Sequence, residues 1–442
     1  MPNITRKYQL KVIGDKEEID RVYKYIREGT EAQNKALNEA MSALYAANLL
    51  DMSKDDKKEL SKLFSRVTNG KNESGFTNDI CFATGLGTTA NIKQKVKQDF
   101  NNACKKGLMY GRVSLPSYKT DNPLLVSKSY VQLLSEGDKN FGIYSAYETP
   151  MDLVDALEKE TNPEVYLKFA NNILFKFVFG NPWKGREQRK VFERIFSGEY
   201  KICGSSIGID GKKIILNLCM DIPKQEHNLD ENIVVGVDLG LAIPAMCALN
   251  NDDYKRLSIG SIDDLLRVRI QLQNERKRIQ GNLKNSKGGH GRQKKLKALE
   301  NLKDRERNFV QTYNHMVSKR VVDFAVKNNA RYINIEDLSG FGKTRYGKSK
   351  SDDEKVLRNW SYYELQNYIT YKAQLHGITV KKVRAEYTSQ TCSYCGSKGI
   401  RKEQKKFVCV NPDCKCHKIY DGYINADFNA ARNIAMSNDF VE

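Results

Sequence analysis

Five cysteines, Cys392, Cys395, Cys409, Cys414 and Cys416, crowd into 25 residues near the end of the chain. A cluster of that density asks for a metal. Cys392-Ser393-Tyr394-Cys395 is followed after 13 residues by Cys409-Val410-Asn411-Pro412-Asp413-Cys414. Two thiolate pairs on two turns are the ligand set of a closed tetrahedral zinc site, with Zn–S bonds of about 2.3 Å. Gly396 suits a tight knuckle turn, and a redox C-x-x-C would need thioredoxin-like surroundings that are lacking here. Cys414 is the expected fourth ligand, with Cys416 the alternative. Four sulfurs leave no open position, so the zinc is expected to be structural. Lys398, Arg401, Lys402, Lys405 and Lys406 make its neighbourhood basic. The other five cysteines (Cys81, Cys104, Cys203, Cys219 and Cys247) are scattered and read as core residues. The first eight residues lack the apolar core of a signal peptide. The apolar run Ile173–Phe179 is interrupted by Lys176 and far too short for a bilayer. A cytoplasmic chain with reduced thiols is therefore expected.

Around the cysteines stand three carboxylates in related settings. Ile233–Asp238 reads as a buried apolar strand ending in Asp238, and Arg331–Glu336 as another ending in Glu336. Asp427 opens the last helix, through Ala426–Ala435. If the two strands are neighbours in one sheet, their carboxylates share an edge that the helix start can face. Three oxygen donors suit Mg²⁺ or Mn²⁺, and two such ions about 4 Å apart activate water and stabilise the leaving oxygen of a phosphodiester. Each acid alone has a plainer reading: a turn residue, a solvated strand end, or an Asp favoured by a helix dipole. Their shared strand–strand–helix setting favours the joint one.

The formal net charge is +19 over 442 residues, which calls for a polyanion, nucleic acid first and an anionic membrane second. More than half of it has one location. From Arg267 to Arg307 there are fourteen Lys/Arg against four acids, Glu275, Glu300, Asp304 and Glu306. Solvated helix faces usually balance their signs, so phosphate contact is the better reading. Arg267, Arg269, Arg292, Lys294 and Lys295 are the candidate contacts, giving affinity and salt dependence without base selectivity. The charge lies on two helical stretches, Ile262–Asn282 and Gln293–Asn328, flanking the glycine turn Gly288–Gly291.

The length suggests two to four domains. Pro223–Asn232 reads as a linker. Before it, Tyr8–Ile13, Gly142–Tyr147, Lys201–Ile209 and Lys213–Met220 read as strands, the last two joined at Asp210-Gly211. Glu17–Leu49 and Thr88–Lys105 read as helices. No G-x-x-x-x-G-K-[ST] occurs, so nothing there argues for ATP hydrolysis. After the linker, strands are expected at Ala245–Leu249, Tyr254–Ile259 and Ile378–Arg384, and a helix over Trp360–His376.

Val235-Gly236-Val237-Asp238-Leu239-Gly240, Ile335-Glu336-Asp337-Leu338 and Asn425-Ala426-Asp427-Phe428-Asn429-Ala430-Ala431 resemble the three split motifs of a RuvC nuclease domain. Tyr387–Gly396 resembles the zinc ribbon of transposon TnpB proteins and their CRISPR descendants. Ser114-Leu115-Pro116-Ser117-Tyr118-Lys119, Ser197-Gly198-Glu199-Tyr200 and Gly288-Gly289-His290-Gly291-Arg292 resemble the miniature type V-F CRISPR effectors in particular. The resemblance implies an α/β and α+β multidomain chain. A β-barrel-like wedge domain over 1–222 would be interrupted by a helical recognition insert over roughly 15–110. A linker at 223–232 would lead to an RNase H-like RuvC domain, 233–387 and 421–442, carrying a zinc-ribbon insert at 388–420.

It further implies a Mg²⁺-dependent (or Mn²⁺-dependent), RNA-guided DNA endonuclease of CRISPR immunity. Base pairing with a guide RNA would select double-stranded target DNA beside a short T-rich motif. Two protein copies would share one guide RNA as an asymmetric homodimer. Asp238, Glu336 and Asp427 become the catalytic metal ligands, Cys392, Cys395, Cys409 and Cys414 the zinc ligands, and Arg401 a contact to the cleaved strand. Four residues separate Cys409 from Cys414 where many relatives have two, which keeps Cys416 in play. A TnpB-type transposon nuclease shares the nuclease and zinc motifs and is the alternative. A RuvC-like binding module without cleavage and a junction-resolving nuclease are further readings, the first opposed by the presence of all three carboxylates.

Overall fold

The computed structural model describes residues 3–49, 55–56, 58–59, 89–119, 122–134, 140–183, 185–240, 242–285, 288–337, 362–384, 389–403 and 405–441. It is a mixed α/β structure of two compact units, Met1–Pro223 and Lys224–Glu442. Among the described residues no helix is long and apolar enough to cross a membrane. Thr88, Trp360, Leu338, Tyr387 and Cys81 lie outside the described residues.

Unit one runs β1 (Asn3–Val12), α1 (Lys16–Leu49), α2 (Thr89–Lys105), β2 (Leu124–Val126), β3 (Gly142–Ser145), α3 (Pro150–Lys159), β4 (Val165–Phe169), β5 (Ile173–Val178), α4 (Arg186–Phe196), β6 (Lys201–Ile202), β7 (Ser205–Asp210) and β8 (Lys213–Asp221). The strands pair antiparallel in the order β2-β7-β8-β1-β5-β4-β3, with β6 on β8. Alternation decides the faces. Tyr8, Leu10, Phe175, Phe177, Ile214 and Leu216 are buried, and α4 supplies Phe192, whose ring meets those of Tyr8 and Phe177 edge-on at 4.8 Å. Among the described residues no ladder joins β2 to β3, but the segment just after β2 reaches β3 through a parallel bridge between Leu133 and Ile143. The expected strand Lys201–Ile209 is two strands, broken at Cys203-Gly204. The strands β4 and β5, which sequence reading left unassigned, are short and separated by a turn where Asn171 and Asn172 take left-handed φ of 56°. Against α1, Ile92, Val96 and Phe100 of α2 bury Leu37 and Met41.

Unit two runs β9 (Asp230–Asp238), β10 (Ala245–Leu249), β11 (Arg256–Ile259), α5 (Ile262–Lys284), α6 (Gly289–Lys327), β12 (Ala330–Glu336), α7 (Tyr362–Leu375), β13 (Thr379–Val383), β14 (Ile400–Glu403), β15 (Lys406–Val408), α8 (Lys415–Tyr420), β16 (Tyr423–Asn425) and α9 (Ala426–Met436). A five-stranded sheet in the order β11-β10-β9-β12-β13 is parallel at β9–β12–β13 and antiparallel at β9–β10–β11. Its central strands are apolar because both faces are covered. Val235, Val237, Ile333 and Ile335 are fully buried in a core with Val317 and Val321 of α6 and Ile369 of α7. The strands β14-β15-β16 form a second, small sheet. Two boundaries differ from expectation. Asp230, Glu231 and Asn232 begin β9 rather than ending a linker, because Ala330 of β12 pairs with Asp230. The glycine turn is shorter than expected, since α6 begins at Gly289.

Candidate functional site

Register brings the first two carboxylates together. In the parallel β9–β12 ladder Val237 pairs with Ile335, so Asp238 and Glu336 follow side by side at one sheet edge. Alternation puts Asp238 on the same face as Gly236, and Glu336 on the same face as Asn334. That face carries α9. Gly236 is where the helix touches the sheet: a Cβ there would stand 2.0 Å from the Ala431 carbonyl oxygen and 2.3 Å from the Ala435 nitrogen. The buried Asn334 Nδ2 donates to the Ile434 carbonyl at 3.0 Å and ties down the far end of α9. At the near end Asn425 caps the helix, its Oδ1 accepting from the Phe428 N–H at 2.9 Å, and Asp427 sits in the first turn.

The electrostatics record this crowding. Burial first, then the charges of Glu336 and Asp427, push the Asp238 carboxyl up to about 8, against a lowering pull from Arg401. Burial also raises Asp427, opposed by Arg401 and Lys405. Arg401 Nη2 of β14 lies 3.8 Å from Asp427 Oδ1. The Tyr362 phenol is raised by burial and by the charge of Asp238. Gln366 Nε2 donates to the Glu336 carbonyl at 2.7 Å and fixes the strand end. Glu336 and Asp427 both act on Asp238 beside one arginine, and an all-oxygen donor set of this kind suits Mg²⁺ or Mn²⁺.

The cysteine cluster also fits its metal. The sulfurs of Cys392, Cys409, Cys414 and Cys416 lie within 4.8 Å of one another and all four residues are buried. Cys395 falls outside that group of four but its Sγ is 3.6 Å from Cys409 Sγ. Cys392 Sγ is 3.8 Å from Cys414 Sγ and 4.0 Å from Cys416 Sγ. A tetrahedron of 2.3 Å bonds has edges of about 3.8 Å, so five thiols compete for four positions. The mutual distances group Cys416 with the other three and leave Cys395 out, while the knuckle turn and the Cys409 contact still bring Cys395 to the cluster. Gly396, at φ +71°, closes the knuckle with its N–H donating to the Cys392 carbonyl at 2.8 Å. Burial would raise the Cys395 thiol, but hydrogen bonds from Ser397 and from the neighbouring sulfurs outweigh it, bringing it down to about 6. Cys414 Sγ accepts from the Cys416 N–H at 3.5 Å, as a ligand thiolate would.

The two sites are mechanically joined through residues that sequence reading passed over. Asn429 of α9 is fully buried. Its Oδ1 accepts from the Ser393 N–H at 2.9 Å and its Nδ2 donates to the Thr391 carbonyl at 2.7 Å, gripping the first cysteine knuckle. Arg432, also buried, pairs with Asp253 at 3.1 Å and lies over the Tyr394 ring at 4.5 Å. Lys415 joins Asp253 as well, and the Tyr394 and Tyr420 hydroxyls donate to its carbonyl. The signal for Asn429 and Arg432 is polar residues within the helix Ala426–Met436 that is otherwise rich in alanine.

Of the basic candidates, some are spent inside the α5–α6 pair. Arg269, with a side chain only 10% exposed, pairs with Glu306 at 3.3 Å, and Arg276 joins the same carboxylate at 2.8 Å. Arg292 and Lys295 donate to the Leu283 and Asn282 carbonyls at the end of α5. Arg269 is turned into an ion pair, while Arg292 stays exposed and Lys295 partly so. Arg267 and Lys294 remain exposed. The acids Glu275, Asp304 and Glu306 are all engaged with arginines of the pair.

Substituting Gly236 with alanine should push α9 off β9 and cost about 3 kcal/mol or more, because both obstructing atoms are backbone. Activity should fall further than the folded fraction does, since α9 carries Asp427. A urea midpoint equal to that of the parent protein would contradict this packing.

A family model described as "Cas12f1-like, TNB domain" matches residues 362–434. A CRISPR-associated endodeoxyribonuclease Cas12f1 of Sulfoacidibacillus thermotolerans is 34% identical over 362 residues, covering 79% of this chain and 77% of the relative. Another Cas12f1, from Syntrophomonas palmitatica, is 37% identical over 243 residues, 48% of this chain and 46% of its own. A cryo-EM structure of a Cas12f1-sgRNA-target DNA complex superposes with a TM-score of 0.63 over 97% of this chain and 84% of that one. At 20% identity this is a likeness of fold.

Proposed function

The chain belongs to the Cas12f1 family of CRISPR-associated endodeoxyribonucleases, and from that premise we propose that Asp238, Glu336 and Asp427 are the catalytic centre of an RNA-guided, metal-dependent DNA endonuclease. The observation that carries this reading is the meeting of two strand ends and one helix start at a single sheet edge, with Asp238 pushed up to about 8 by burial first and then by the charges of Glu336 and Asp427. In this reading the five-stranded sheet and its helices are the RNase H-like RuvC domain, and residues around 388–420 are a zinc ribbon. Asp238, Glu336 and Asp427 would hold two cations, Mg²⁺ or Mn²⁺, which would supply Lewis acidity for phosphodiester hydrolysis. The chain's own groups do the rest. Arg401, 3.8 Å from Asp427, is positioned to neutralise charge on the scissile phosphate. Gln366 holds the Glu336 backbone, and the buried wall that includes Tyr362 limits water at Asp238.

Pairing between guide RNA and target DNA beside a T-rich motif selects the site, and two copies of the chain act on one guide RNA. One structural zinc holds the ribbon. The TnpB-type alternative shares the carboxylates and cysteines, but the match to a Cas12f1 along 79% of the chain favours the CRISPR role. The deciding experiment is to purify the protein from its host and sequence the RNA that comes with it. A CRISPR repeat-derived guide with a companion RNA supports this reading; a single RNA from a transposon end would replace it with TnpB.

The exposed cations of α5 and α6 supply phosphate contacts. Changing Arg267, Arg278, Lys294 and Lys297 together to glutamine should weaken nucleic-acid binding for all sequences alike. Each lost contact should flatten the salt slope by about 0.7–0.9. An unchanged slope would mean that these residues face away from the bound nucleic acid.

A further inference from the structure

Five histidines occur in the 442 residues, and two of them, 149 positions apart, meet nitrogen to nitrogen. His227 Nε2 lies 2.8 Å from His376 Nδ1, with ring centroids 5.0 Å apart and the planes tilted by 33°. Neither ring belongs to the carboxylate edge or to the cysteine cluster. His376 follows the last residue of α7, where Gly377 at φ +74° turns the chain toward β13. His227 lies in the exposed stretch 224–228 that leads into β9. One backbone bond ties that stretch down beside the rings: the Gln225 N–H donates to the Leu375 carbonyl at 2.7 Å.

The chemistry of this corner suits a metal cation. Imidazole nitrogens are ligands for late transition metals, zinc and nickel among them. The end of a helix is the negative end of its dipole and favours positive charge. Asp323 of α6 is close enough for its charge to act on His376, so a carboxylate stands at the same corner. Lys372 of α7, which the same carboxylate also reaches, is held by the His315 carbonyl at 2.6 Å and the Ser318 hydroxyl at 2.7 Å. Two imidazoles on one tetrahedral zinc, with bonds of about 2.0–2.1 Å, stand about 3.3 Å apart. From 2.8 Å the pair need open by only about 0.5 Å, and His227 is on an exposed stretch that can yield. One hydrogen shared between the rings is the form of the contact without metal; with metal, both nitrogens turn lone pairs to the ion.

We propose that His227 and His376, with Asp323 beside them, bind one late transition-metal ion, zinc in particular, in addition to the ion at the cysteines. The ion clips the stretch before β9 to the end of α7. It thereby joins the approach to the strand of Asp238 to the helix whose Gln366 holds the Glu336 backbone.

The test uses the full-length reduced chain, equilibrated with zinc chloride in a Mg²⁺ buffer and analysed for bound zinc. His227→Ala and His376→Ala should each hold about one zinc fewer than the parent. His290→Ala, at an exposed histidine of α6, should hold as many as the parent. His227→Ala removes an exposed ring and leaves the fold intact, so zinc lost there reports the site itself. The clip has its own readout in trypsin cutting after Lys224. In the parent that cut should slow about tenfold when free zinc is about ten times its dissociation constant, and in both variants zinc should not slow it. Equal zinc in the parent and either variant would overturn the proposal, as would cutting after Lys224 that zinc leaves unchanged in the parent.

Discussion

Replacing Asp238 with alanine abolishes target cleavage, by about 10³-fold or more, while guide RNA and target DNA still bind. The magnitude follows from the role. Removing a ligand shared by a cation pair forfeits several kcal/mol of transition-state stabilisation, and each 1.4 kcal/mol is tenfold in rate. Binding survives because phosphate contacts come from surfaces outside the carboxylate edge, such as the exposed cations of α5 and α6. Asp238→Asn adds a second readout. The folded carboxyl titrates near 8 and the ordinary one near 3.8. The fold therefore favours the protonated acid, and the metal-free protein loses that stability as pH rises from about 4 through 8. The asparagine variant keeps it, so its melting temperature without metal should exceed that of the parent at pH 8, by about 5 °C, and match it near pH 4. Undiminished cutting by Asp238→Ala in Mg²⁺ would remove this residue from the catalytic centre.

Loss of zinc is the second large effect. Metal analysis of the reduced protein should find about one zinc per chain, and Cys392→Ser or Cys409→Ser should release it. Structural zinc binding is worth about 10–16 kcal/mol in small ribbons, so the knuckles should not hold without it. Cleavage should then fall by about 10²-fold or more, because Thr391 and Ser393 of the first knuckle are bonded to Asn429, two residues from Asp427. Cys414→Ser should behave like the other ligand variants, and Cys416→Ser should keep the metal. Zinc retained by Cys414→Ser but lost from Cys416→Ser would exchange their roles, and a parent protein with no zinc would refute the ribbon.

The strand bearing Asp238 is legible because burial on both faces writes an apolar run that stops at an acid, and the one bearing Glu336 because Tyr332, Ile333 and Ile335 keep a β-rich run despite Asn334. Their adjacency is not written in either run, since pairing partners depend on contacts about a hundred residues apart. The approach of Asp427 was less legible still. It depends on Gly236, which looks in sequence like any strand glycine but is the contact point for α9. It also depends on Asn334 and Asn429, single polar residues whose bonds run to distant backbone. The short strands β4 and β5 escaped notice because Phe-Lys alternation over five or six residues is a weak signal beside the long helices. Charge alone does not show which cations are also engaged within the helix pair: Arg269 meets Glu306, and Arg292 and Lys295 donate to carbonyls at the end of α5.

The most direct measurement is cleavage of two plasmids by the parent protein loaded with one defined guide RNA in Mg²⁺. One plasmid carries the matching sequence beside a T-rich motif and the other carries a scrambled sequence. The account predicts that only the matched plasmid is cut, and that chelating the metal stops it. Equal cutting of both plasmids, or cutting of the matched one without guide RNA, would contradict it.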